Sequence, residues 1–279
     1  RFSGTAGGAT TAAAATWGGG NPNGDTSQHE NRHTVGFDAT WRSGPWGFDP
    51  TVFYQWGTRD NQCLCPNKGA AFSVQRVEAD MSSWLVDLIG SYRTGPFVLE
   101  VRGIYSPGNN ARDNLSKSIR YYDPLSMDGT YYYGWAQIVA LSNIDYLNGL
   151  GGVNGGMAYG VGYDRYGRAQ LGVRGTYNIT PALKLYAIVN PTWTAEKVDT
   201  DTGQAPFAVF SNPRTIVNDK SFVEGDSRYI GTEGDLGVTW RFAPNVSFDM
   251  MGGYLRAGSA LDVTEILNGV ATKREAQDA

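Results

Sequence analysis

Both histidines of the chain fall within His29-Glu30-Asn31-Arg32-His33, a literal H-E-x-x-H string. On a helix, residues four apart share a face, so two such histidines can hold zinc while the glutamate acts on a bound water. The approach through Asn21-Pro22-Asn23-Gly24-Asp25 is turn-like, and His33 leads straight into a segment that alternates with a period of two. A helix here would have no apolar face to bury. The string is therefore expected to be a polar loop running into a strand, with neither catalysis nor metal. Asp199 and Asp201 in Asp199-Thr200-Asp201-Thr202-Gly203 have the oxygen ligands that calcium prefers, but the composition is that of a solvated turn. Cys63-Leu64-Cys65 is too close-spaced for an unstrained disulfide, and no haem-attachment pattern follows it. No nucleophile elbow, phosphate loop or paired-carboxylate signature occurs elsewhere, so neither enzyme activity nor a cofactor is expected.

The remaining chemistry-bearing residues are charges set at every second position of apolar segments. From His33 to Arg42, Val35, Phe37, Ala39 and Trp41 alternate with Thr34, Asp38, Thr40 and Arg42. A strand sends successive side chains to opposite faces, so one face is greasy and the other charged. After a break at Ser43-Gly44-Pro45-Trp46 the pattern returns with Phe48, Pro50, Val52, Tyr54 and Trp56 against Asp49, Thr51 and Gln55. Pro50 cannot donate to a ladder and is an awkward member of that strand.

The hairpin recurs three times. A strand ending near Tyr92 turns through Arg93-Thr94-Gly95-Pro96, and Phe97, Leu99, Val101 and Tyr105 then oppose Glu100 and Arg102. Ala169, Leu171, Val173 and Tyr177 oppose Gln170, Arg174 and Thr176, turn at Asn178 to Pro181, and continue as Leu183, Leu185, Ala187 and Val189 against Lys184. Leu236, Val238, Trp240 and Phe242 turn at Ala243-Pro244-Asn245 and return as Val246, Phe248, Met250 and Tyr254. Four hairpins predict eight strands. Between them lie longer polar stretches, Gly57 to Val74, Ser106 to Thr130 and Thr194 to Arg228, read as loops. Thr10 to Trp17, Tyr131 to Val139 and Gly156 to Asp164 carry weaker alternation and are candidates for further strands. Residues 106–167 form the least readable interval, either an extracellular segment or one folded back inside.

Which face points inward is decided by the aromatics. Trp41, Phe48, Tyr92, Phe97, Tyr177, Trp240 and Phe242 flank the short turns, while Tyr54, Trp56, Tyr105 and Tyr254 recur about eight to ten residues further along. At roughly 3.3 Å per residue and a tilt near 40°, nine residues climb about 23 Å, the height of a lipid-facing band between aromatic girdles. The opposite face carries Asp38, Arg42, Glu100, Arg102, Arg174, Lys184, Asp235, Arg241 and Asp249. A packed soluble core would not accept so many ions, each costing several kcal/mol to bury unpaired, whereas a wet lumen does. These nine are the expected pore-lining residues, with signs too nearly balanced to predict ion selectivity.

Composition agrees. The chain has 37 Gly, 16 Tyr, 11 Phe and 8 Trp in 279 residues, which suits a hollow, turn-rich sheet better than an aliphatic core. No apolar run approaches the about 18 residues of a spanning helix, and Arg1 to Gly20 does not read as a signal peptide. A net charge of −4 with a pI near 5.2 gives no basic surface for nucleic acid.

The runs TVGFDATWRSGPWGFDPTVFYQWG and WLVDLIGSYRTGPFVLEVRGIYSPGN resemble outer-membrane porin-like barrels of the alginate-export type, over residues 30 to 257. That resemblance implies a transport channel with its substrate left open. Such barrels finish on an aromatic-ended strand, whereas this chain stops at Thr272-Lys273-Arg274-Glu275-Ala276-Gln277-Asp278-Ala279.

The expected fold is all-β: a single antiparallel up-and-down transmembrane β-barrel over 1–279, with at least eight strands and closing strands missing at the C-terminus. Its setting is the outer membrane of a Gram-negative bacterium, its partners membrane lipid and small hydrophilic solutes, its function passive passage. The alternative is a plugged scaffold or surface-display barrel that binds a partner through its loops.

Overall fold

The computed structural model describes residues 30–67, 70–110, 118–122, 135, 138, 166–198, 227–267 and 270–277, with side chains at 61–77, 263–272 and 274 left aside. The weakly alternating candidates at 10–17 and 156–164 lie outside the described residues, as do His29, Asp199 and Asp201. Of the candidate at 131–139, only Trp135 and Ile138 are described.

The strands are β1 (Glu30–Asp38), β2 (Trp41–Ser43), β3 (Trp46–Asn67), β4 (Ala70–Thr94), β5 (Phe97–Ser106), β6 (Ser118–Ile119), β7 (Arg168–Thr180), β8 (Leu183–Val198), β9 (Ser227–Ala243) and β10 (Val246–Ala257), followed by the hairpin β11 (Val263–Leu267) and β12 (Val270–Arg274). The main sheet runs β1-β3-β4-β5-β7-β8-β9-β10, with β2 also on β3 and β6 on β4. Every neighbour along that path is antiparallel, and each predicted hairpin is present with a two-residue turn. The meander is therefore antiparallel and up-and-down. Among the described residues β1 and β10 are its edges.

Turn chemistry fixes the register of the first hairpins. Gly44 and Gly95 each have φ 55 and each precede a proline. A glycine at positive φ followed by a residue held at negative φ has the sign order of a II′ turn, whose twist matches antiparallel strands. Pro50 also acts as expected. The ladder on β3 breaks at Ala39–Thr40, between β1 and β2, where Pro50 has no N–H to offer, although the Ala39 N–H still donates to the Pro50 carbonyl at 3.1 Å.

Two predicted loops are shorter than read. The stretch from Gly57 to Val74 is mostly paired, since β3 and β4 continue as a ribbon until Asn67 faces Ala70. Likewise β8 runs on to Val198 and β9 begins at Ser227. Above an apolar band both faces of a strand meet water, so the period-two signal vanishes while the backbone ladder persists.

The two faces differ sharply in cover. On β5, Phe97, Leu99, Val101 and Tyr105 are exposed, while Arg102, Ile104 and Ser106 are buried. Across the sheet the exposed side holds Val35, Phe37, Trp41, Leu171, Val189, Trp240 and Leu236, the last 70% exposed. Among the described residues no single core forms. Small clusters, such as Leu85 and Ile104 with Tyr122, and Ile230 and Leu255 with Tyr166, lie on or beside the polar face.

Candidate functional site

All nine sequence-predicted residues lie on one face. Adjacent strands then couple most of them into pairs. Arg42 is bidentate to Asp49 at the first short turn. The Thr51 hydroxyl donates to Asp38 at 2.8 Å. The Arg102 Nε donates to Asp87 at 2.9 Å, a pair almost wholly buried, and the Arg174 Nε donates to Glu100 at 2.6 Å. Glu100 and Arg174 face each other in register, whereas Asp87 lies diagonally from Arg102. Charge-assisted pairs of this kind satisfy both partners where water is scarce.

Lys184, Arg241 and Asp249 stand nearer the short turns and are exposed. Lys184 helps line a cavity of about 630 Å³ with Arg93, Val98, Glu100, Arg174, Thr176, Asn178, Tyr186 and Thr239. Of the charged residues that line it, Arg93 and Lys184 make no ion pair among the described residues, so the cavity is polar and carries a surplus of positive charge.

Asp235 is different: it is 2% exposed, two residues from the fully buried Glu233 on the same face. Glu233 accepts the Ile138 N–H at 2.9 Å. Ile138 also packs against the cluster of Tyr166, Ile230 and Leu255. Part of the interval 106–167 thus rests on the polar face.

Trp135 confirms that placement at a second point. Its ring lies over Arg174, 4.5 Å from the guanidinium carbon, with Arg102 at 5.9 Å. Beneath it is Gly172, where a Cβ would stand 2.9 Å from Trp135 Cε3. A third contact comes from Tyr122, buried against Leu85, Ile104 and Phe53. Immediately before it, β6 takes the β4 edge beyond the end of β5, in parallel at Asp80 and Met81.

Sequence reading puts Asp49 on the polar face without counting it among the nine, and misses Asp87, Glu233, Arg93 and Trp135. The first three of these were available from strand parity, since each shares a face with a residue already chosen. Trp135 carries no such signal. The H-E-x-x-H string has strand geometry from Glu30 onward, which sends Glu30 and His33 to opposite faces. Glu30 is bound by Arg59 and Arg32, and His33 stacks on Trp56 at 5.4 Å.

The other face is apolar and carries paired aromatics. Trp46 packs on Tyr92 and Trp240 on Phe242 near the short turns, at 4.6 and 5.4 Å. Further along, Tyr54 stacks on Trp56, while Trp84 meets Tyr105 and Trp193 meets Tyr229 at a tilt, with ring centres 5.0 to 5.9 Å apart. Eight residues separate Phe48 from Trp56, and eight separate Phe97 from Tyr105.

No family model matches the chain, and no curated protein matches it in sequence. The solved structures similar to it include the following three. OccK5 (OpdH) of Pseudomonas aeruginosa is 10% identical with a TM-score of 0.38, the match covering 87% of this chain and 47% of that one. A BenF-like porin of Pseudomonas fluorescens Pf-5 is 12% identical at a TM-score of 0.36, covering 82% and 44%. OmpT, an outer membrane protein of Vibrio cholerae, is 11% identical at 0.32, covering 88% and 59%. The chain spans about half the length of these structures, and likenesses at such scores do not identify a family.

Proposed function

We propose that the chain forms wall of a water-filled path through a Gram-negative outer membrane, serving passive passage of small hydrophilic solutes. The observation that carries this reading is the opposite character of the two faces in one continuous register. A large exposed apolar surface, bounded by two rows of aromatics, needs lipid rather than water. The face behind it, with its ion pairs and polar cavity, needs water. The nine charged residues line the path in this reading, and the alginate-export-type likeness of the sequence belongs to the same proposal. Arg93 and Lys184 give the cavity a surplus of positive charge, which favours anions there, while Asp249 offsets Arg241 beside it. Planar-bilayer recording of the purified protein should give discrete conductance steps. Silence at all voltages would remove the channel reading.

A second reading has its own support. Tyr122, Trp135 and Ile138 rest on the polar face, so the interval 106–167 is proposed to fold inward. If that segment closes the path, the barrel is a plugged scaffold. Conductance appearing only when this interval is deleted would favour it over the open channel.

A further inference from the structure

We infer that Glu233 and Asp235 form a binding site for a hard divalent cation, calcium or magnesium, on the polar face of β9. One position separates the two residues on the strand, so their side chains share a face about 6.6 Å apart along it, and their carboxyl groups adjoin. Both are out of water, Glu233 fully buried and Asp235 2% exposed. Two like charges so placed repel one another and lose their hydration, a state that persists only with a counter-charge beside them or a proton on one of them.

Elsewhere on this face the counter-charge is an arginine: Asp49 has Arg42, Asp87 has Arg102 and Glu100 has Arg174. The ladder puts no cation opposite the β9 pair. Asp235 stands between Ile188 on β8 and Gly253 on β10, and Glu233 stands between Asn190 and Leu255. Arg174 is one strand further away, beyond Ile188, and is held by Glu100.

A second observation concerns the Asp235 carboxylate itself. Among the described residues neither of its oxygens has a hydrogen-bond partner and it makes no ion pair, although both oxygens are shut off from solvent. The carboxylate leans over Gly253, where a Cβ would stand 2.3 Å from Oδ1, so the missing side chain on β10 is what gives it room. Ile138 closes the other side. Its Cδ1 comes within 3.3 Å of the same Cβ position, and its N–H already occupies Oε1 of Glu233 at 2.9 Å. A ligand for Asp235 must therefore be small, and it must be positive, since the carboxylate offers it only acceptors. Carboxylate oxygens are hard donors, which suit calcium or magnesium rather than the metals that take imidazole or thiolate. Both oxygens of Asp235 and one of Glu233 would hold the ion, with water completing its shell. The site requires only β8, β9, β10 and Ile138, and is independent of the channel reading above.

The test uses the purified full chain in detergent, stripped with EDTA and titrated with terbium, a calcium-site probe that emits when excited through a nearby aromatic ring such as that of Tyr186, diagonal to Asp235 across β8 and β9. Wild type should give sensitised emission that calcium displaces, and calcium should raise its thermal midpoint by about 5 °C over the EDTA-treated protein. Asp235→Asn and Glu233→Gln should each weaken binding by about tenfold or more. Asp235→Asn, which removes a charge that only the ion offsets, should also melt above EDTA-treated wild type. Glu78→Gln, at an exposed carboxylate on β4, should change neither reading. Circular dichroism identifies a variant that fails to fold, and either carboxylate variant suffices for the comparison. Undiminished emission and an undiminished calcium shift in both carboxylate variants would overturn the site. So would a wild type indifferent to EDTA, calcium and magnesium, the behaviour of a pair that shares a proton instead. The channel reading stands or falls separately, on planar-bilayer conductance.

Discussion

Arg174 and Glu100 face each other across β7 and β5, joined at 2.6 Å, and the same Arg174 lies under the ring of Trp135. One side chain thus ties two strands together and anchors a residue from outside the sheet. Removing Glu100 as Glu100→Gln should loosen Arg174 without breaking the strand pairing. A double-mutant cycle between Glu100→Gln and Trp135→Ala should give a coupling of about 0.5–1 kcal/mol, measured from denaturant unfolding in detergent. Strict additivity would mean that the ion pair does not position the ring.

The two faces of β7 should respond oppositely to charge. Val173 is 40% exposed on the apolar face, and Val173→Arg should cost about 2–4 kcal/mol of stability in a bilayer. Thr176→Arg, on the cavity wall, should leave stability almost unchanged and alter conductance instead. Gly172, which parity alone marks as an open wall position, is unsuitable for this comparison because Trp135 covers it. Equal destabilisation by both changes would contradict the membrane orientation.

Cysteines introduced one at a time from Ala169 to Tyr177 would map the same alternation chemically. Lipid-soluble probes should reach 169, 171, 173 and 177, and water-soluble ones 174 and 176. Positions 170 and 172, buried by neighbouring groups, should react with the water-soluble reagent only after Trp135→Ala. If the odd positions proved shielded from lipid and the protein stayed dispersed without detergent, a soluble sheet would be the correct account.

The cavity charge can be read directly. Lys184 makes no ion pair among the described residues and is exposed on the cavity wall, so Lys184→Glu removes one positive charge and adds a negative one. In a salt gradient the reversal potential should move toward cation preference, and the change should shrink at high ionic strength. An unchanged reversal potential would place Lys184 outside the conducting path.

Backbone geometry at the far end of β9 gives a prediction independent of the membrane. Gly231 has φ 152 beside a register shift between β8 and β9, and a Cβ there would stand 2.5 Å from the Arg256 carbonyl oxygen. Gly231→Ala should destabilise the protein by about 1–3 kcal/mol in urea titration. Gly234→Ala, a neighbouring site with open space, should cost less.

What the sequence determined by itself was the set of hairpins and the parity of their faces. Val35 against Asp38, Leu99 against Arg102 and Val173 against Arg174 mark an apolar and a polar face, because successive side chains of a strand point to opposite sides. The glycine–proline turns at Gly44 and Gly95 then set which residues face one another. Beyond the aromatic rows that constraint lapses, so the continuation of β3 and β4 to Asn67 and Ala70 carries no period that distinguishes it from a loop. Only the tertiary structure decided what rests on the polar face. Trp135 and Gly172 are far apart in the chain, and their contact depends on a missing Cβ and two arginines on separate strands. The Ile138 N–H meeting Glu233 is likewise a non-local event. Local alternation is written into every second residue, whereas a single ring filling a single hollow leaves no period to read.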